Sequence, residues 1–130
     1  MAITYVFTKS VNDGTSTISK SETITGTGDV RVSEAITGAT TNYFVSCSAT
    51  TSQIKGMYFV SDQACTMKTN STTGVDTFSL VANEPLEWTE NDPAVTIGDI
   101  LTANVTGLYF TVPTAVTATV QGRILIDASP

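Results

Sequence analysis

Four carboxylates crowd into nine residues of this 130-residue chain: Glu84, Glu87, Glu90 and Asp92, with Asn83 and Asn91 among them. A calcium ion takes six to eight oxygen ligands, and such a loop could supply several. The spacing matches no helix–loop–helix or repeat pattern for calcium, so a solvated acidic loop is the plainer reading, and neither metal nor other cofactor is expected. Paired carboxylates can also hydrolyse glycosides, provided two of them flank the sugar at a set separation. Most acids here fall at turns, where they serve solubility, and no catalytic residue is assigned. Histidine is absent, which removes Ser-His-Asp and Cys-His nucleophile pairs, His-ligated zinc and a histidine proton switch. Cys47 and Cys65 each sit in a strand-like run and read as two small buried thiols in preference to a disulfide. Gly26-Thr27-Gly28 lacks the lysine and the strand-to-helix context of a phosphate loop. Asn70-Ser71-Thr72 and Asn104-Val105-Thr106 match the glycosylation sequon, as a threonine-rich chain will by coincidence.

The aromatic residues raise a different chemistry, because sugars stack on exposed rings. Tyr43-Phe44, Tyr58-Phe59 and Tyr109-Phe110 are adjacent pairs, so in strands the two rings of each pair point to opposite faces. One ring of each pair is then core. Core packing is the plainer reading of the rings; Trp88, beside a turn, is the one candidate for exposure, and on it and the hydroxyl-rich surface rests the alternative of a carbohydrate-binding module.

The elements that position these residues are strands. Thr occurs 25 times, Val 13 and Ile 9, so about a third of the chain is β-branched, against 5 Leu. Branching at Cβ stiffens χ1 and suits a pleated surface. Period-two alternation recurs about every ten residues, the pattern of a sandwich or barrel. Ile3, Tyr5 and Phe7 share one parity, and Asn12-Asp13-Gly14 is a tight-turn signal. Residues 15–26 are polar, anchored only by Ile18 and Ile24, so residues 1–28 read as a peripheral arm or an edge-strand pair. The run from Ile54 is apolar on both faces around Met57 to Val60, so this strand belongs in the middle of a sheet covered on two sides. Ile97, Ile100 and Leu101 have the spacing of a single helical turn. In the last run Val116, Ala118, Val120, Gly122, Ile124 and Ile126 face one way, Thr117, Thr119, Gln121, Arg123 and Asp127 the other, and Leu125 alone breaks the pattern. The expectation is one all-β domain over residues 1–130. It is an antiparallel two-sheet, jelly-roll-like sandwich of about 8–10 strands with no substantial helix.

Charge narrows the partners. Six Lys and Arg against twelve Asp and Glu give a formal net charge of −6, and the six cations are scattered singly. Nucleic acid binding needs clustered cations, so neither nucleic acid nor an anionic membrane is an expected partner. No charged segment followed by an apolar one marks the start, so the chain is not expected to be secreted.

One stretch is familiar. Ile54-Lys-Gly-Met-Tyr58-Phe-Val-Ser-Asp62 is followed by Met67-Lys-Thr-Asn70, Phe78-Ser-Leu80, Asn83-Glu-Pro-Leu86-Glu-Trp88, Leu108-Tyr-Phe and Arg123-Ile-Leu-Ile-Asp127. In this order the segment resembles small β-sandwich virion proteins of tailed bacteriophages, of the capsid decoration (cement) or minor capsid type. The resemblance implies a non-enzymatic structural protein, made in the host cytoplasm and carried on the phage head. Its partner would be the major capsid protein or another virion protein. It also implies a homo-oligomer, with a trimer favoured. A phage tail or fibre component is the alternative within virions. Tyr5, Phe7, Ile18, Ile24 and Trp88 are the residues expected at its contacts.

Overall fold

A computed structural model describes residues 2–92 and 94–128 of the chain. Among these residues ten strands form, all paired antiparallel: β1 (Ile3–Asn12), β2 (Thr17–Gly26), β3 (Gly28–Ile36), β4 (Thr40–Val45), β5 (Ile54–Ser61), β6 (Cys65–Thr69), β7 (Thr77–Leu80), β8 (Leu86–Thr89), β9 (Leu108–Val112) and β10 (Ala118–Ile126). A single four-residue helical turn, α1 (Ile97–Ile100), forms where the spacing predicted one, and Thr96 and Asp99 cap it reciprocally. No helix among the described residues is long and apolar enough to cross a membrane.

Two four-stranded sheets stack, ordered β3-β10-β5-β8 and β4-β9-β6-β7. Successive strands cross from one sheet to the other, save β6 and β7, which form a hairpin within one. This is the strand order of a jelly roll. The sandwich read from β-branching and alternation is therefore the fold.

The core lies between the sheets. From β10 it takes Ala118, Val120 and Ile124, from β5 Met57 and Phe59, and from the facing sheet Met67, Leu108, Phe110 and Val112. Gly122 also points inward, opposite Phe59 in the register. A Cβ there would collide with the Phe59 ring, so the missing side chain is the space the ring fills. Near the end of the β5–β10 ladder the register shifts, Leu125 facing Gly56 while Ile126 faces Ile54. The extra residue on β5 turns Ile54 back into the core.

β1 and β2 form a separate two-stranded sheet. An isolated hairpin is marginal in water, so this one must lean on something. It leans on the outer face of the β3-β10-β5-β8 sheet, where Phe7 and Ile24 close over Leu125 in a small second core. Leu125, the one residue that broke the alternation of β10, is fully buried at 0% exposure. Gly56 completes the seat, since a Cβ there would press on the Phe7 ring at 3.3 Å.

Full burial of each of these three side chains contributes about 2 kcal/mol. Leu125→Ala is therefore expected to cost about 2–4 kcal/mol. Native-state hydrogen exchange should show the loss first in β1 and β2, with β10 amides still protected until global unfolding.

Candidate interaction surface

The side chains of β1 show how the hairpin lies. Tyr5 donates its hydroxyl proton to Asp29 of β3 at 2.8 Å. Phe7 sits over Gly56 of β5, and Lys9 pairs with Glu87 of β8 at 3.0 Å. These are the two edge strands and one central strand, met in turn by alternate residues. Four residues of extended chain span about 13 Å and three strand spacings about 14 Å, so β1 crosses the sheet nearly at right angles. From β2, Glu22 accepts a 2.6 Å hydrogen bond from Thr89. The root is tied where the Thr27 amide donates to the Ile126 carbonyl at 2.9 Å.

Tyr5, Asp29 and Arg31 form the polar fastening. Arg31 donates to the same carboxylate oxygen of Asp29 at 2.9 Å. Desolvation raises the Asp29 pKa, but the Tyr5 hydroxyl and the Arg31 guanidinium outweigh it and hold the carboxyl below its usual range. Burial and then the Asp29 hydrogen bond push the Tyr5 hydroxyl well above its ordinary value.

Past Lys9 the hairpin runs beyond the β8 edge, and every residue from Thr8 to Ser21 is exposed. Val11 and Ile18 face each other across this overhang at 68% and 75% exposure. They share the hairpin face of Phe7 and Ile24, with no sheet beneath them. The tip closes with hydrogen bonds of its own. Asp13 accepts from the Thr15 and Ser16 amides at 2.9 and 2.8 Å, Asn12 accepts from Gly14 at 2.7 Å, and Gly14 takes φ 89°. The Ser16 and Thr15 amides hold the Asp13 carboxyl below its usual range.

Alongside the unpaired edge of β1 runs a groove of about 490 Å³. Thr4 to Thr8 form its wall, and Tyr58, Glu87 and Arg123 its floor. A second hollow of about 210 Å³ lies over Tyr58, Val60 and Gln121. The hairpin thus covers one half of the outer face and leaves the other half open.

The opposite sheet carries a smaller feature. Phe44, 54% exposed, packs its ring 5.2 Å from that of Tyr109 at 52° on the solvent face. Lys68 lies beside Tyr109 in the register.

The residues predicted from sequence divide between two environments. Ile18 is exposed, Tyr5 is half-buried, and Phe7 and Ile24 are buried under their own hairpin. Those two hold the hairpin down and are not free for a partner in this conformation. The exposed Trp88 is corrected. The pleat of β8 turns it inward with Leu86, and its indole N–H donates to the Val95 carbonyl at 2.8 Å. Cys47 and Cys65 are buried free thiols, and burial raises the Cys47 pKa to about 11. The acidic stretch is dispersed: Glu87 pairs with Lys9, Glu90 with Lys55, and Asp92 accepts from the Ala94 and Val95 amides. Among the described residues no three His, Cys, Asp or Glu side chains gather as a metal would need. Both sequon asparagines lace loops together. Asn70 accepts from the Thr106 amide at 2.7 Å and donates to the Asn104 carbonyl, and Asn104 accepts from the Thr51 amide.

No family model, curated protein or solved structure matches this chain.

Val11, Tyr58, Val60 and Arg123 belong to this surface and were not singled out by sequence. Only the isolated Leu125 carried a signal of the docked hairpin.

The polar fastening sets a pH range for docking. Asp29 has a lowered folded pKa, so its contribution is present above the ordinary carboxylate range of about 4 and lost as pH falls through the folded value. Tyr5 has a raised one, so its contribution is complete below the ordinary value of about 10 and declines as pH rises above it. The thermal midpoint of hairpin undocking, followed by the methyl NMR signals of Ile24 and Leu125, should be flat between those limits and fall outside them. Tyr5→Phe should reduce the alkaline decline and leave the part that belongs to Lys9, whose pKa the Glu87 hydrogen bond also raises.

Proposed function

We propose that the chain is a non-enzymatic structural protein of a tailed-phage virion. It is a capsid decoration (cement) protein that binds the assembled head as a homo-oligomer. The observation that carries this reading is the hairpin overhang, which presents Val11 and Ile18 beyond the edge of a jelly-roll body. A decoration protein works by packing many copies on a repeating shell, so modest contacts multiply by avidity. A projecting arm on a stable sandwich suits that task. Two further supports are the resemblance over Ile54 to Asp127 and the weakly charged, threonine-rich exterior.

Heads lacking decoration, tails, and the purified protein separate the readings within virions. Co-sedimentation with heads at saturable stoichiometry, and density on the head surface by electron microscopy, is the expected result. Binding confined to tails or fibres would move the protein there, and binding to neither would sink the proposal.

A second reading, carbohydrate binding, is favoured by one feature, the Phe44–Tyr109 ring pair on a hydroxyl-rich sheet face. Trp88 has no part in it. On a glycan array this reading expects a signal that Phe44→Ala reduces by up to about tenfold, since a stacked ring contributes about 0.5–1.5 kcal/mol. A signal unchanged in that variant, or none at all, removes the reading.

A further inference from the structure

The hairpin overhang and the open half of the outer sheet face are two unpartnered surfaces on one molecule. We propose that the hairpin tip of one copy docks into the groove beside β1 of a second copy. It lies face down on the outer sheet and adds a strand to the free β1 edge. This rests on the reading of the chain as a self-associating structural protein, and it names the surfaces through which copies join.

Three observations carry it. First, the body-facing side of the hairpin continues past its own body. Tyr5, Phe7 and Ile24 have cover beneath them, while Val11 and Ile18 occupy the same face without any. In a second copy, Tyr58 and Val60 form a floor beside an already docked hairpin, so the incoming tip would repeat the packing of the resident one.

Second, the edge of β1 is ready for a strand. The Asp13 amide donates to the Ser16 carbonyl, which makes that pair the first hydrogen-bonded pair of the hairpin. Alternation along the antiparallel ladder then leaves 4/25, 6/23 and 8/21 as non-hydrogen-bonded pairs. The side chains agree, since Thr4 meets Thr25 and Thr8 meets Ser21 within hydrogen-bonding distance, as expected where side chains lie closer. Thr4, Val6 and Thr8 therefore aim their N–H and C=O groups out over the groove, the template that strand addition uses.

Third, the hairpin brings no net charge to the contact. The hairpin carries Lys9 and Lys20 against Asp13 and Glu22 and is neutral, so the net −6 of the chain resides wholly in the rest. Lys20 makes no ion pair with a described residue, and the groove floor carries Arg123 beside Glu87, which already pairs with Lys9 of its own hairpin. The tip is the part of the molecule that a second acidic body repels least.

Sedimentation velocity on the full chain tests the docking. The wild type is expected to self-associate, and Val11→Ser/Ile18→Ser to weaken the association about tenfold or more without lowering the melting temperature, both residues being exposed. Val6→Pro removes an outward N–H and spares the β1–β2 ladder, so it should act alike. Val60→Glu provides a groove variant with the backbone untouched. Mixing the tip variant with either groove variant restores one intact tip and one intact groove, and should give a heterodimer and nothing larger. A monomeric wild type at about 100 μM, or variants that keep the wild-type mass, would overturn the docking. Head co-sedimentation reads the decoration role separately: a monomer that binds heads defeats only the docking, and an oligomer that ignores heads defeats only that role.

Discussion

The contact of Leu125 with Phe7 and Ile24 is what joins the two parts of this molecule. β10 lies inside its sheet, paired with β3 on one side and β5 on the other, so its pleat directs residues alternately into the core and out to the far face. An aliphatic side chain on the far face would be exposed to water at a cost near its full transfer energy. The hairpin removes that cost and gains the apolar cover that a two-stranded sheet lacks alone. Each part thus completes the other. The Tyr5–Asp29–Arg31 fastening and the Lys9–Glu87 pair add direction more than energy, because surface ion pairs contribute little.

That seat also decides what is left open. Because the hairpin crosses the strands, its width covers only part of the sheet, and its length exceeds the sheet's breadth. One consequence is the half-covered strip from Tyr58 to Val60, and the other is the overhang with Val11 and Ile18. Both follow from ten-residue strands laid across a four-stranded sheet. A shorter hairpin would leave no tip, and one aligned with the strands would leave no groove.

Much of the architecture was legible in the residues because alternation is local. Met57 to Val60 reads as apolar on both faces, and the core covers one face of β5, while on the other Phe7 covers Gly56 and leaves Tyr58 and Val60 half-buried. The helical spacing of Ile97 and Ile100 and the turn at Asn12-Asp13-Gly14 were likewise local signals. The surface was less legible. Trp88 misled because a nearby turn suggests exposure, whereas the parity of β8 decides it. Phe7 and Ile24 misled in the opposite sense, since an apolar pair on a polar hairpin reads as a contact for another molecule until its own sheet is seen beneath it.

By itself the sequence determined the fold class, the turn at the hairpin tip, the inward face of nearly every strand and the chemistries that lack of histidine removes. All of these depend on residue type and on period-two spacing within a few residues. The tertiary structure alone decided the strand order of the two sheets, the crossing angle of the hairpin, the burial of Trp88 and the pairing of an overhang with a groove. Those depend on contacts between segments as far apart as Phe7 and Leu125, which no local period encodes. Leu125 stood between the two kinds of information: its place in the chain marked it as an exception, and only the fold supplied the reason.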